Sequence, residues 1–171
     1  DIVDPSYFFT DRRWKALQEA KREDSLKISK TNNPDKKHGT VGCVALDKFG
    51  NIVAGTSTGG MTNKKFGRLG DTPIIGAGTF ADNNTCGVSC TGHGEYFIRY
   101  SVARNVAAMM EYGNKTCKQA AEIIINKLKK KGGEGGLIAI DNQGNIIMEF
   151  NSSGMYRGYA LPSKREVKIY K

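Results

Sequence analysis

Long apolar runs are missing from this sequence. The longest, such as Ile123-Ile124-Ile125, are short, against the ~18 residues a membrane-crossing helix needs. No secretory leader is visible either. The chain opens Asp1-Ile2-Val3-Asp4-Pro5, with no basic start, apolar stretch or initiator Met. Such an opening is expected of a piece of a longer chain or a processed product, and it leaves cytoplasm and periplasm equally open. Histidine is scarce, with only His38 and His93, and none of the four cysteines (Cys43, Cys86, Cys90, Cys117) forms a C-x-x-C pair. A Cys/His zinc site therefore has no support. Cys86 and Cys90 on one strand would stand roughly 13 Å apart, too far to bridge, and all four read as packing thiols. There is no solenoid repeat, no helix-turn-helix pattern and no RNA-binding aromatic signature. Gly132-Gly133-Glu134-Gly135-Gly136 lacks the Gly-Lys-Ser/Thr ending of a phosphate loop and reads as a close-packed link from helix to strand.

What is present is enough for a core. The chain has 171 residues, 39% of them hydrophobic, which excludes a disordered chain and suits one domain or part of a larger one. The formal net charge is +9, but acids interleave with the bases. The densest run, Lys127, Lys129, Lys130 and Lys131, falls at a helix C-terminus, where cations suit the dipole. A basic nucleic-acid-binding module stays a distant alternative. It predicts an affinity that falls steeply with salt.

Along the chain, a helix is expected from Thr10 to about Arg22, with Thr10 as N-cap, Asp11 in the first turn, and Trp14, Leu17 and Lys21 on one face. Residues 24–38 are polar, with Pro34, and read as a mobile linker. At Gly39 the composition changes. Val41 to Leu46 enters a turn, Asp47-Lys48-Phe49-Gly50-Asn51, and Ile52-Val53-Ala54 resumes the strand. The device recurs: Leu137 to Ile140, then Asp141-Asn142-Gln143-Gly144-Asn145, then Ile146 to Met148. These read as two antiparallel hairpins. Neither turn has the further carboxylates of a calcium loop. Between them lie a Gly-rich stretch, 55–94, and two helices, about Gly94 to Tyr112 and about Thr116 to Lys130. The second carries a Thr116/Gln119 capping box. Strands, helices, then strands predict an α+β layered domain with antiparallel sheet. Asn83-Asn84-Thr85, Asn114-Lys115-Thr116 and Asn151-Ser152-Ser153 match the glycosylation pattern, which arises often by chance.

The chemistry gathers at the linker-to-strand junction. A Thr hydroxyl becomes a useful nucleophile only with a base in hydrogen-bond reach. Cutting the Gly39–Thr40 bond would give Thr40 its own base, an α-amine titrating near ~7.7–8.0. Taken alone, these two residues read more readily as the plain start of a strand. Other segments shift that balance. Gly55-Thr56-Ser57-Thr58-Gly59-Gly60 puts hydroxyls at the end of the second strand, beside Thr40 across the hairpin. Ser89-Cys90-Thr91-Gly92-His93-Gly94-Glu95 runs into a helix through glycines, whose backbone N–H groups suit an oxyanion. In Gly67-Arg68-Leu69-Gly70-Asp71 a guanidinium and a carboxylate would together hold an amino-acid zwitterion. His93 with Glu95 offers too few ligands for a metal and reads as a helix-start residue.

Together with Gly39-Thr40-Val41-Gly42, Gly76-Ala77-Gly78, Gly133 to Ile138 and Gly154-Met155-Tyr156-Arg157, these segments resemble the C-terminal part of the plant-type asparaginases (isoaspartyl peptidases), threonine-type N-terminal-nucleophile hydrolases. The match runs in order across residues 39–157. The resemblance implies a four-layer αββα sandwich of which this chain supplies only part, with residues 1–39 ending an α-subunit and 40–171 forming the β-subunit. It implies autocleavage between Gly39 and Thr40, Thr40 as nucleophile with its α-amine as base, and Thr58 tuning it. Thr91 and Gly92 would form the oxyanion hole. Arg68 would bind the substrate carboxylate, and Asp71, helped by the Gly94 carbonyl, the substrate ammonium. The implied substrates are L-asparagine and β-aspartyl dipeptides. The implied partners are the rest of the α-subunit and a second αβ unit, with no nucleic acid and no membrane. No cofactor is implied for the reaction, only a structural Na or K ion in the preceding part of the α-subunit. The glycosylasparaginases, which cleave GlcNAc–Asn, are the alternative. They tend to show Asp-Thr at the cleavage point and Thr-Asn-Gly where this sequence has Thr58-Gly59-Gly60.

Overall fold

The computed structural model describes residues 2–26 and 39–170. Most of the expected linker, residues 27–38 with His38, lies outside the described residues. The chain forms two compact units, Asp1–Gly39 with Gly60–Arg68, and Thr40–Gly59 with Leu69–Lys171.

The smaller unit opens on a 3-10 turn, Pro5–Phe8, where the Asp4 carboxylate accepts the Ser6 N–H at 2.8 Å. Helix α1 spans Asp11–Ser25. Thr10 caps it as expected, its hydroxyl accepting the Arg13 N–H at 3.4 Å. The helix runs past Arg22 because no glycine or proline stands there to stop it. It buries no side chain, and Trp14 remains half exposed, tilted against Phe9. The 60–68 loop joins this unit through Asp24, whose carboxylate accepts from Asn63 Nδ2 at 2.7 Å and from Lys65 Nζ at 2.6 Å.

The larger unit holds three antiparallel sheets. Strands β1 (Thr40–Leu46) and β2 (Ile52–Thr58) form a hairpin, in register from Thr40↔Thr58 to Leu46↔Ile52. Strands β3 (Thr79–Ala81), β4 (Cys86–Gly92), β5 (Gly135–Asp141) and β6 (Ile146–Phe150) form a four-stranded sheet in the order β3-β4-β5-β6. Strands β7 (Arg157–Leu161) and β8 (Lys164–Lys168) form a further hairpin, one not expected from the sequence.

Both expected turns close in one way. The Asp47 carboxylate accepts the Phe49 and Asn51 N–H groups and the Asn51 side chain, each at 2.8 Å. Asp141 does the same for Gln143 and Asn145 at 2.9–3.0 Å. Gly50 and Gly144, at φ 87° and 84°, supply the left-handed residue that follows a tight turn in such hairpins.

Alternation across β4 gives the sheet two faces. Cys86, Val88 and Cys90, with Leu137 and Ala139 of β5, face helices α3 (Val102–Glu111) and α4 (Cys117–Lys130) and make the core with Val102, Val106, Ile124 and Leu128. Burying each such Val, Leu or Ile is worth about 1.5–3 kcal/mol. Gly87 and Ser89 face the β1–β2 hairpin: a Cβ on Gly87 would stand 2.7 Å from Ile52 Cγ2. The α+β class and the antiparallel pairing are as the sequence predicts.

Two expectations need correction, and strands β3 and β4 lie within the Gly-rich stretch 55–94. Glycine stands in β4 because the hairpin approaches too closely there for a side chain. The single helix expected over 94–112 is two, α2 (Gly94–Arg99) and α3. Ser101 breaks it at φ 42°, outside helical space, and Asn105 Nδ2 caps the Tyr100 carbonyl at 2.6 Å. Cys43 is exposed, on the open face of β1, while the other three cysteines are buried and reduced. The capping box of α4 forms as expected, at 3.2 and 3.1 Å. Lys127, Lys129 and Lys130 occupy its last turn. In the 132–136 connection a Cβ on Gly133 would strike the Tyr96 ring at 2.7 Å, so that link is close-packed as read.

Candidate active site

The hairpin brings its two ends together away from the turn. Thr40 is the first residue of β1 and Thr58 the last of β2, and they pair directly across the ladder. The Thr40 hydroxyl donates to the Thr58 hydroxyl at 3.3 Å. Both are half-buried on the face of the hairpin that carries Gly42, Val44, Ile52 and Thr56. That face meets β4. Val44 stands against Gly87, and a Cβ on Gly42 would lie 2.1 Å from Ser89 Oγ. The step of two that takes Gly87/Val44 to Ser89/Gly42 leads next to Thr91 and Thr40, on facing surfaces at one end of both sheets.

Thr91 and Gly92 close β4, paired with Gly136 and Gly135. Gly92 sits at φ 140°, and a Cβ there would be 2.3 Å from the Glu134 carbonyl, so glycine is required. His93 is the N-cap of α2, at the helix start as expected, and its Nδ1 accepts the Glu134 N–H at 3.3 Å. It ties the helix start to the 132–136 connection. Gly94 follows as the buried first residue of α2. Asp71 is 7% exposed, and a Cβ on Gly78 would be 2.9 Å from its Oδ2. Burial, and then the Asp71 charge, push the Cys90 thiol well above its usual range. The hydrogen bond to Cys86, and then burial, push the Cys117 thiol up as well. Neither thiol competes as a nucleophile.

Arg68 and Gly39 belong to the smaller unit, Arg68 at the end of its 60–68 loop and Gly39 immediately before β1. Among the described residues no group of three or more His, Cys, Asp or Glu could hold a metal ion, and no helix is long and apolar enough to cross a membrane.

Sequence reading missed a hydroxyl cluster behind this site. Thr56 Oγ1 accepts from Thr79 Oγ1 at 2.5 Å and lies 2.7 Å from Ser89 Oγ. The signal was present as hydroxyls two apart on two segments, Thr56/Thr58 and Ser89/Thr91, the spacing of one strand face. Two glycosylation-like asparagines turn out to be structural. Asn83 Oδ1 accepts the Ile52 N–H at 2.8 Å, and Asn151 accepts from Gly135 at 2.8 Å and donates to Gly133 at 2.9 Å.

A family model described as asparaginase matches residues 1–169. The chain is 50% identical over 164 residues to an isoaspartyl peptidase of Salmonella typhimurium, covering 92% of this chain and 52% of that protein. It is 49% identical over 164 residues to an isoaspartyl peptidase of Escherichia coli, covering 92% and 51%. To a putative isoaspartyl peptidase/L-asparaginase of Dictyostelium discoideum it is 44% identical over 191 residues, covering 94% and 55%. It thus spans about half the length of these curated relatives. With the match extending over nearly every residue, the chain belongs to the asparaginase family.

Proposed function

We propose that the whole protein is an amidohydrolase that cleaves the side-chain amide of L-asparagine and the β-peptide bond of isoaspartyl dipeptides, with Thr40 as nucleophile. The observation that carries this reading is the Thr40–Thr58 hydroxyl pair, 3.3 Å apart at the open end of the hairpin. It stands immediately after Gly39 in a chain of the asparaginase family. The names of the relatives point to the same two substrates.

Autocleavage between Gly39 and Thr40 frees the α-amine. That amine takes the proton from the Thr40 hydroxyl as the oxygen attacks the amide carbon. The resulting oxyanion is held by the Thr91 hydroxyl and the Gly92 N–H, each such donor worth ~2.7–4 kcal/mol in other hydrolases. The C–N bond then breaks, the leaving amine takes the proton, and an aspartyl ester on Thr40 remains. Water, deprotonated by the same amine, releases aspartate. Thr58 orients the Thr40 hydroxyl. Arg68 takes the substrate carboxylate, and Asp71 with the Gly94 carbonyl takes its ammonium. No cofactor takes part, and a Na or K ion would serve structure only, in the preceding part of the α-subunit.

The same reading makes residues 1–39 the end of an α-subunit and 40–171 the β-subunit. Pairs of αβ units would associate, and the layers would complete a four-layer αββα sandwich. Neither nucleic acid nor membrane has a role. The test is intact mass of the full-length protein after incubation at neutral pH, followed by hydrolysis assays. Two fragments meeting between Gly39 and Thr40, with turnover of L-asparagine and β-aspartyl dipeptides, are expected. A chain that stays whole and inert overturns the reading, and GlcNAc–Asn hydrolysis at a rival rate moves it to the glycosylasparaginases.

A further inference from the structure

The hydroxyl cluster of Thr56, Ser89 and Thr79 lies outside every role assigned above. Thr79 and Ser89 are cross-strand partners on the face of the large sheet that meets the hairpin. Thr56 stands opposite them, in the ladder directly across from Gly42. Thr79 donates to Thr56, and the Thr56 proton is then left for Ser89 at 2.7 Å or the Gly78 carbonyl at 3.5 Å. Ser89 is 4% exposed and Thr56 and Thr79 are half-buried, so the cluster is a polar seam in the inter-sheet contact. A buried hydroxyl without its partner is costly, which fixes this spacing more sharply than apolar packing would. Gly42 allows the approach, since Ser89 Oγ occupies the space its Cβ would need.

The seam is one ladder step from the Thr40–Thr58 pair, roughly 7 Å along the strands. We propose that Thr56, held by Ser89 and Thr79, is a positioning residue that sets the separation between Thr40 on the hairpin and Thr91 on the large sheet. The inference rests on the reading of Thr40 as nucleophile. Two strands tied at one rung cannot drift far at the next, and an oxyanion donor works only within about 2.7–3.1 Å of its target. A misplacement near 1 Å costs on the order of a hundredfold in rate. Arg68 is not part of the seam and Asp71 meets it only through Gly78, so it governs the chemical steps more than substrate capture.

The test uses the full-length enzyme with Thr56→Val, Thr56→Ser and Ser89→Ala. Cleavage at 39–40 is followed by intact mass, and kcat and KM are measured on a β-aspartyl dipeptide. Thr56→Val is expected to slow cleavage and lower kcat about tenfold to a hundredfold, with KM within about threefold. Thr56→Ser, which keeps the hydroxyl, restores most of both, and Ser89→Ala falls between. Wild-type kcat and cleavage rate in Thr56→Val overturn the proposal whatever happens to the melting temperature, as does a Thr56→Ser variant as slow as Thr56→Val. Should Thr56→Val fail to fold, Ser89→Ala carries the same criterion. A wild-type protein that neither cleaves nor turns over defeats the reading of Thr40 instead, before any variant is made.

Discussion

The hairpins β1–β2 and β5–β6 are built from one local pattern, an apolar strand, Asp-x-x-Gly-Asn and a second apolar strand, and they end up doing different things. In β5–β6, Leu137 and Ala139 are fully buried under α3 and α4, and the turn carboxylate of Asp141 is 6% exposed. In β1–β2 only one face is covered, Val41 and Val53 of the other face are 69% and 62% exposed, and the open end carries Thr40. The third hairpin, β7–β8, has neither turn motif nor core and is tied by ions: Glu166 accepts from Tyr159 and pairs with Lys164 and Lys168. A turn sequence decides that two strands pair, and what lies above and below decides whether the pair is scaffold or site.

Four substitutions and one titration test that contrast. The largest effect is expected for Thr40→Ala, which removes the hydroxyl that both proposed steps would need: no fragments at 39–40 and turnover at background, with the fold intact. A mutant that still matures and hydrolyses β-aspartyl dipeptides defeats the proposed chemistry. Arg68→Ala, in the loop that follows the same hairpin, leaves maturation intact and raises KM about tenfold to a hundredfold, the usual loss for a charged hydrogen bond to substrate. An unchanged KM removes Arg68 from the site. Next come the two turn aspartates. Asp141→Ala strands buried donors and costs about 2–3 kcal/mol, whereas Asp47→Ala, in the exposed turn, costs about 1 kcal/mol or less. Thermal unfolding of both, side by side, decides; equal losses would mean that burial does not separate the hairpins. The smallest effect concerns Glu166. Its hydrogen bond from Lys168, then that from Tyr159, pull its pKa down from 4.5 to about 2. A carboxyl depressed in the folded state stabilises above its unfolded value and loses that contribution as pH falls through the folded one. The contribution of these ion pairs should therefore be complete above pH 4.5 and fade toward pH 2. A side-chain NMR titration reads this directly, and an ordinary carboxyl pKa would show that the ion pairs hold nothing.

Much of the candidate site's placement was legible because its residues sit where local rules are strong. Gly39-Thr40 marks the change into an apolar strand, and the paired turns fix the register that puts Thr40 across from Thr58. Capping by Thr10 and Thr116 was legible for the same reason, since an N-cap is satisfied within one turn. Strand β4 was not legible. Its glycines and serine look like a loop until a second sheet supplies the contact that makes small residues necessary. The break at Ser101 was hidden too, because the apolar stripe runs on through it and only the backbone changes direction.

The amino-acid sequence alone determined the two turn-closed hairpins, the α+β class, the capped helices and the chemical types at the site. These depend on interactions between residues a few positions apart, whose geometry the chain sets for itself. The tertiary structure decided which hairpin is buried and which strand lies between helices and hairpin, and it brought Thr56, Ser89 and Thr79 together at one seam. Those outcomes depend on the distance between two sheets. That distance is set by the volume of the side chains facing each other, from segments more than twenty residues apart, and no local pattern encodes it.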